Sequence, residues 1–362
     1  MEVLAHYLPQ FHPIPENDEW WGTGFTEWTN VTKARPFFRG HVQPHLPSDL
    51  GFYDLRVPEV REAQADLART HRVTGFCYWH YWFAGRLLLQ RPFEEVLASR
   101  RPDFPFCISW ANQSWSGIWH GAPNQILMEQ TYPGPEDDQA HFDYLLRAFE
   151  DDRYITVGGR PLLFIYKPGD LPHPARFVEE WNAMAEKAGF EGLYLVASLG
   201  ESPYLTHHED GFDAAVYYQF PFAITFARRR RDELMSWGVV KGPRRYAYPE
   251  QFLELPSDLA GPVFPCVYPN WDNTPRSGRR GLVATDPTPE RFGSHVRRAL
   301  EVAGSNPPGE EILMIKSWNE WAEGNYLEPD SETGQARLQM LAREVARYER
   351  AKATGDAAPT TR

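Results

Sequence analysis

Eight short runs of nearly continuous apolar or aromatic residues recur along the chain: Val3–Leu8, Gly75–Tyr81, Phe104–Trp110, Leu162–Lys167, Leu193–Leu199, Ala214–Phe220, Val263–Tyr268 and Ile312–Ser317. Runs of this length with little polar alternation predict strands buried on both faces, the signature of a parallel sheet. Between them apolar residues return at helical spacing, most clearly over Glu59–Thr70, Gln139–Glu150, Ala175–Ala188, Pro289–Val302 and Ala336–Arg350. Strands and helices alternating in this number predict an α/β fold built as a single (β/α)8 TIM barrel. No internal repeat or linker divides the chain. The expected organisation is one catalytic domain over 1–350 and a flexible tail over 351–362, where Gly, Ala, Pro and Thr replace the periodic pattern.

Three segments that follow strand ends are long: the Pro- and Trp-rich stretch up to Asp54, the stretch up to Pro135, and the one between the sixth and seventh strands. Loops this long in a compact domain are usually functional or disordered, and their aromatic content argues against disorder. They are expected to be long aromatic-rich βα loops. In a barrel such loops crown the C-terminal face, where active sites are built.

The last strand runs into Lys316-Ser317-Trp318-Asn319-Glu320-Trp321-Ala322-Glu323-Gly324. Two carboxylates three positions apart, flanked by indoles and an amide, fit neither strand alternation nor an apolar run, so they are expected where a strand opens into a loop. The bland alternative is a pair of capping or salt-bridging glutamates beside packed tryptophans. Other strand ends carry similar chemistry. Tyr7, Gln10, Tyr78, His80, Trp82, Trp110, Asn112, Trp115, Tyr166, Tyr217, Trp271, Asp272 and Asn319 all fall at or just beyond one. With Trp28 of the first loop and Trp318, they are the candidate substrate-binding residues, and Glu320 and Glu323 the candidate catalytic pair. Aromatic faces interspersed with amide, carboxylate and imidazole groups suit a sugar, whose C–H face stacks while its hydroxyls take directed hydrogen bonds. Taken singly, each aromatic is as well explained by packing.

Charge and composition narrow the field. The net charge of −12 disfavours a nucleic-acid partner, and the one basic run, Arg228–Arg231, reads as a solvated helix face. The 14% aromatic content, with 13 Trp, adds to the case for a site lined with flat apolar faces. Cys77, Cys107 and Cys266 lie in apolar runs without metal-ligand spacing and are expected as buried thiols. No leader or membrane-spanning pattern is present, which implies a cytoplasmic protein with no membrane span. His207-His208-Glu209-Asp210 is the one metal candidate, and no further ligands join it; neither metal nor cofactor is expected. Phosphate-binding glycine loops, a His-Glu-x-x-His helix and a Gly-x-Ser-x-Gly elbow are all missing. No Asp-x-Asp pair is present either, which weakens a sugar-nucleotide transferase.

Several segments carry a family resemblance: Tyr7-Leu8-Pro9-Gln10-Phe11-His12, the stretch from Trp20 to Val31, Cys77-Tyr78-Trp79-His80-Tyr81-Trp82-Phe83, Ser109-Trp110-Ala111-Asn112-Gln113-Ser114-Trp115, Trp271-Asp272-Asn273-Thr274 and Trp318 to Gly324. Together they resemble the WbsX-type proteins of polysaccharide gene clusters, across nearly the whole chain. Those proteins are labelled glycosyltransferases but are similar to glycoside hydrolase family 99, the endo-α-1,2-mannosidases and mannanases. Asn319-Glu320-Trp321-x-Glu323-Gly324 carries the remoter likeness to family 99. It implies a (β/α)8 barrel, Glu320 as base and Glu323 as acid/base. It also implies a retaining route in which the sugar's own 2-hydroxyl attacks the anomeric carbon to give a 1,2-anhydro sugar. Ala322 stands where family 99 usually has a histidine, so mannose does not carry over with the motif.

Three functional readings follow: a glycoside hydrolase acting on a poly- or oligosaccharide, a glycosyltransferase or transglycosylase of surface polysaccharide, and a catalytically inactive carbohydrate-binding barrel. The partner in each is a carbohydrate. The sugar, its linkage, endo or exo action and the oligomeric state are not encoded in residue types.

Overall fold

The structure is a computed structural model that describes residues 1–117, 122–199, 207–218, 242–249, 255 and 259–354. Its centre is a closed ring of eight parallel strands: β1 (Glu2–Tyr7), β2 (Gly75–Phe83), β3 (Phe106–Trp110), β4 (Arg160–Ile165), β5 (Tyr194–Leu199), β6 (Ala214–Tyr218), β7 (Val263–Val267) and β8 (Ile312–Ile315). Each pairs with its sequence neighbour, and β8 returns to β1 with Ala5 opposite Ile315. This is the (β/α)8 barrel that the eight apolar runs predict. All eight runs are strands, with ends moved by at most two residues in the described portion. Residues 219 and 220 of the sixth run, and the Arg228–Arg231 run, lie outside the described residues.

The helices are α1 (Pro15–Trp21), α2 (Glu27–Thr32), α3 (Pro58–Thr70), α4 (Arg91–Ser99), α5 (Pro135–Phe149), α6 (Pro174–Lys187), α7 (Thr274–Ser277), α8 (Pro289–Ala303) and α9 (Ala336–Thr354). Proline stands in the first two positions of α1 and of α3 through α8, where its fixed φ is already helical and its missing N–H costs no hydrogen bond. Much of the proline content is therefore helix-starting chemistry. The short α4 has no counterpart among the predicted helices. α9 runs through Ala351–Thr354, which the sequence assigns to the tail; two of these residues are alanines, and Lys352 pairs with Glu311 on the barrel's underside. Residues 355–362 lie outside the described residues.

Strand alternation sorts the barrel residues into two populations. His6, Cys77, Trp79, Phe164, Tyr218 and Phe264 meet in the interior, where His6 stacks on Trp79 with ring centroids 4.4 Å apart. The residues between them face the helices. Cys77, Cys107 and Cys266 are buried free thiols, and burial raises the pKa of Cys77 and Cys266. None of the described helices is long and apolar enough to cross a membrane.

Candidate active site

Immediately beyond β8 the chain forms a tight double turn. Asn319–Glu320 pairs antiparallel with Asn325–Tyr326, and a single 3-10 turn, Trp321–Glu323, connects them. Gly324 closes it at φ +59, and a Cβ there would lie 2.8 Å from the backbone nitrogen of Asp272, so only glycine fits. Asp272 in turn donates its backbone N–H to the Glu323 carbonyl at 2.7 Å. The turn is thereby fastened to the end of β7, and both glutamate side chains are left almost fully buried at the C-terminal mouth of the barrel.

Three carboxylates converge on one guanidinium there. Arg276, from α7, places Nη1 2.8 Å from Glu323 Oε1 and 3.3 Å from Glu320 Oε1, and Nη2 2.8 Å from Glu27 Oε1. Glu27 begins α2 in the first βα loop and is fully buried. Its Oε1 also accepts the backbone N–H of Ala322, between the two other glutamates, at 2.8 Å. One oxygen of Glu27 and one of Glu320 are buried without a hydrogen-bond partner among the described residues. Such orphaned acceptors are costly unless a ligand group completes them.

Burial, and then the charge of Glu320, push the Glu323 carboxyl up to about 7, against the pull of Arg276 and Lys316. Burial also raises Glu27, partly offset by Arg276. Arg276 itself would be lowered by burial, but Glu27, Glu323 and Glu320 outweigh that and hold it above its ordinary range. Near neutrality the cluster thus contains a carboxyl that holds or releases a proton, beside a second carboxylate sharing the same guanidinium nitrogen. That is the arrangement general acid–base chemistry requires.

The model for the family described as Glycosyltransferase WbsX matches residues 3–341. The chain belongs to that family. The protein WxcX of Xanthomonas campestris pv. campestris, described as uncharacterized, is 37% identical over 357 residues, covering 95% of this chain and 50% of its own length. The same protein from a second strain matches equally. The chain therefore spans about half the length of the curated relatives it matches. Among solved structures, the GH99 endo-alpha-mannosidase of Bacteroides thetaiotaomicron, in complex with BIS-TRIS-Propane, superposes with a TM-score of 0.58 at 16% identity, covering 98% of each chain. A glycoside hydrolase-like protein gives 0.57 at 13% identity, over 95% of this chain and 93% of its own. At such identities the likeness shows the fold.

Within this WbsX-family barrel the sequence-predicted residues divide sharply. Glu320 and Glu323 meet at the mouth. Tyr81 feels the charges of Glu320, Arg276 and Glu27, and Trp115 packs on Tyr81, centroids 5.0 Å apart. Tyr166, one residue beyond β4, faces inward against Trp79. The remaining predicted residues do other work.

Tyr7, Tyr78, His80, Trp82, Trp110 and Trp318 face the helix layer and are corrections to the predicted binding set. Tyr7 donates its hydroxyl to Gln64 at 2.6 Å, and Tyr78 packs on Phe93. His80 bonds His141, on which Trp82 stacks at 4.7 Å, and Trp110 packs on Trp181. Trp318 is fully buried against Phe76. The cause is a one-residue phase error: side chains alternate along β2, so Trp79 and Tyr81 point inward while their neighbours do not.

Asn112 and Asn319 clip strand ends together. Asn112 bonds both backbone groups of Lys167, and Asn319 both those of Leu8. Asp272 is spent on His41, Gln43 and Thr274. Trp271 is buried beside it, with its carbonyl accepting from Ala284. Trp28 packs on Trp321 behind the turn and donates to the Tyr53 carbonyl. Gln10 is half-buried and its carbonyl accepts the Glu27 N–H, whereas Tyr217 is half-buried on the opposite strand face from Tyr218.

Sequence reasoning missed Glu27, Arg276, Trp79, Tyr81 and Lys316. Glu27 looks like an ordinary first-turn acid, and Arg276 is one of several arginines in its loop. Lys316 was readable, since an ammonium ends an otherwise apolar strand. His207 binds the Ala260 carbonyl, and among the described residues no group of three or more His, Cys, Asp or Glu is placed to hold a metal ion.

Proposed function

We propose that the chain is a retaining glycoside hydrolase acting on a poly- or oligosaccharide, with Glu323 as acid/base and Glu320 as base. The observation that carries this reading is the Glu323 carboxyl, held near 7 beside Glu320 on a shared Arg276 nitrogen. One nitrogen bonded to both carboxyls, at 2.8 Å from Glu323 Oε1 and 3.3 Å from Glu320 Oε1, keeps the two side chains at one point of the mouth. In the first step Glu323 gives its proton to the departing glycosidic oxygen. Glu320 takes the proton of the 2-hydroxyl, whose oxygen closes on the anomeric carbon as the glycosidic bond breaks. Water then opens the 1,2-anhydro sugar; Glu323 takes a proton from that water and Glu320 returns one to the 2-oxygen. Charge is conserved throughout, and each carboxyl ends as it began.

A second reading, glycosyl transfer, is favoured by the description of the family and needs only a sugar hydroxyl in place of water. Incubation with a glycan panel separates the two. New reducing ends without added acceptor support hydrolysis. Product that appears only with an acceptor sugar, or only from a sugar nucleotide, supports transfer. Glycan binding without either reaction would leave a binding barrel.

A further inference from the structure

The floor beneath the carboxylates is a single layer contributed by the even-numbered strands: Trp79 from β2, Tyr166 beyond β4, Tyr218 from β6 and Lys316 beyond β8. Four side chains from alternate strands are the ordinary unit of barrel packing, but bulky apolar residues usually fill it. Here the fourth member is an ammonium. Lys316 Nζ lies 5.6 Å from the Trp79 ring centroid, 5.8 Å from Tyr166 and 5.4 Å from Tyr218, within cation–π range of all three. A second ammonium, Lys167 Nζ, lies 5.2 Å from the same Tyr166 ring. Both lysines are partly exposed, and neither forms an ion pair among the described residues.

We propose that this floor is a specificity subsite for an anionic group on the sugar substrate, a carboxylate or a phosphate, held by Lys316 and Lys167 around Tyr166. The proposal rests on the glycan-active reading of the mouth above it. A neutral sugar needs stacking faces and hydrogen-bonding groups, both of which the aromatic mouth supplies without two ammonium groups packed on one tyrosine ring. Burial alone would lower the Lys316 pKa, but Tyr166, Glu320 and Glu323 outweigh it and keep the ammonium charged.

The test is binding, read by calorimetry on the full chain. Probes are glucuronate- and galacturonate-containing oligosaccharides, their carboxyl-reduced neutral counterparts, and hexose 1-phosphates beside free hexoses. An acidic probe is expected to bind at least tenfold tighter than its neutral counterpart, with affinity falling as salt is raised. Lys316→Met is expected to cut that preference to threefold or less, Lys167→Met to reduce it partly, and Lys316→Arg to retain it. Preference for the uronate or the phosphate series identifies the source of the charge. Equal or tighter binding of the neutral probes, no binding of any acidic probe, or an undiminished preference in a folded Lys316→Met variant would overturn the proposal. Failure of the hydrolase reading would show separately, as catalysis unaffected by loss of Glu320 and Glu323, with the charge preference intact.

Discussion

Glu27 accepts the backbone N–H of Ala322 at 2.8 Å, tying the first βα loop to the middle of the turn that carries Glu320 and Glu323. The same oxygen accepts from Arg276, while the other has no partner among the described residues. Glu27→Gln can therefore keep both bonds and remove only the charge. That charge helps to raise Glu323, so its loss is expected to lower the Glu323 pKa and move the alkaline limb of the pH–rate profile below 7. A limb that stays in place or rises would detach Glu27 from the acid's environment.

Arg276 works in the opposite direction, since it lowers Glu323. Arg276→Met is expected to raise the alkaline limb. It also leaves three buried carboxylates without their cation, a loss of about 3–5 kcal/mol by the usual cost of breaking buried pairs. Denaturant titration checks the stability. Arg276→Lys, which keeps the charge but loses the fork, is expected to fall between the wild type and Met in both measurements.

The barrel and the two glutamates are legible in the sequence for physical reasons. Parallel strands buried on both faces must be apolar throughout, and carboxylates interrupting such a run have no packing role to explain them. The same property hides which face is which. Gly75–Phe83 is aromatic or apolar at nearly every position, so nothing in it distinguishes inward Trp79 and Tyr81 from outward Tyr78, His80 and Trp82. Long-range convergence is equally silent: Glu27, Arg276 and Glu323 are distant in sequence, and only closure of the ring brings them together.

This phase assignment predicts separable effects for three tryptophans. Trp115, beside Tyr81 at the mouth, is expected to cost ~1 kcal/mol or more of glycan affinity when changed to Ala, with little loss of fold. Trp82→Ala and Trp110→Ala remove packing against His141 and Trp181, and are expected to cost about 3–5 kcal/mol of stability. Affinity measured below the unfolding transition is expected to stay near wild type for both. Lost affinity in folded Trp82→Ala would return that residue to the site.

Behind the turn, Glu328 accepts from Trp321 Nε1, Tyr53 Oη and Gln64 Nε2 in full burial. Burial raises its carboxyl to about 7 against the pull of those donors. A folded pKa above the unfolded one means that the protonated form stabilises the fold. Its contribution is complete below the unfolded value of 4.5 and is lost as pH rises through about 7. Glu323 has the same sign. The melting temperature is therefore expected to fall between pH 5 and 8, by an amount equivalent to at most about 3 kcal/mol from Glu328. In Glu328→Gln, which cannot titrate, that slope is expected to shrink; an unchanged slope would assign it elsewhere.

The sharpest test separates the roles of the two site glutamates by leaving group. If Glu323 protonates the departing oxygen, Glu323→Gln slows a poorly departing sugar far more than an activated aryl glycoside, which needs little protonation. Glu320→Gln is expected to slow both, because it removes the base that creates the nucleophile whatever departs. Acid or base assistance is worth ~10²- to 10⁴-fold, so the contrast lies well inside a kinetic assay. Replacing the substrate's 2-hydroxyl by hydrogen provides an independent check. Attack by that oxygen then becomes impossible, whereas direct attack by a carboxylate would still leave a covalent glycosyl-enzyme adduct. Turnover of the 2-deoxy substrate, or an adduct trapped on Glu320, would replace the anhydro-sugar route with a carboxylate nucleophile while keeping the hydrolase. Full activity in both glutamine variants would remove catalysis from Glu320 and Glu323 altogether.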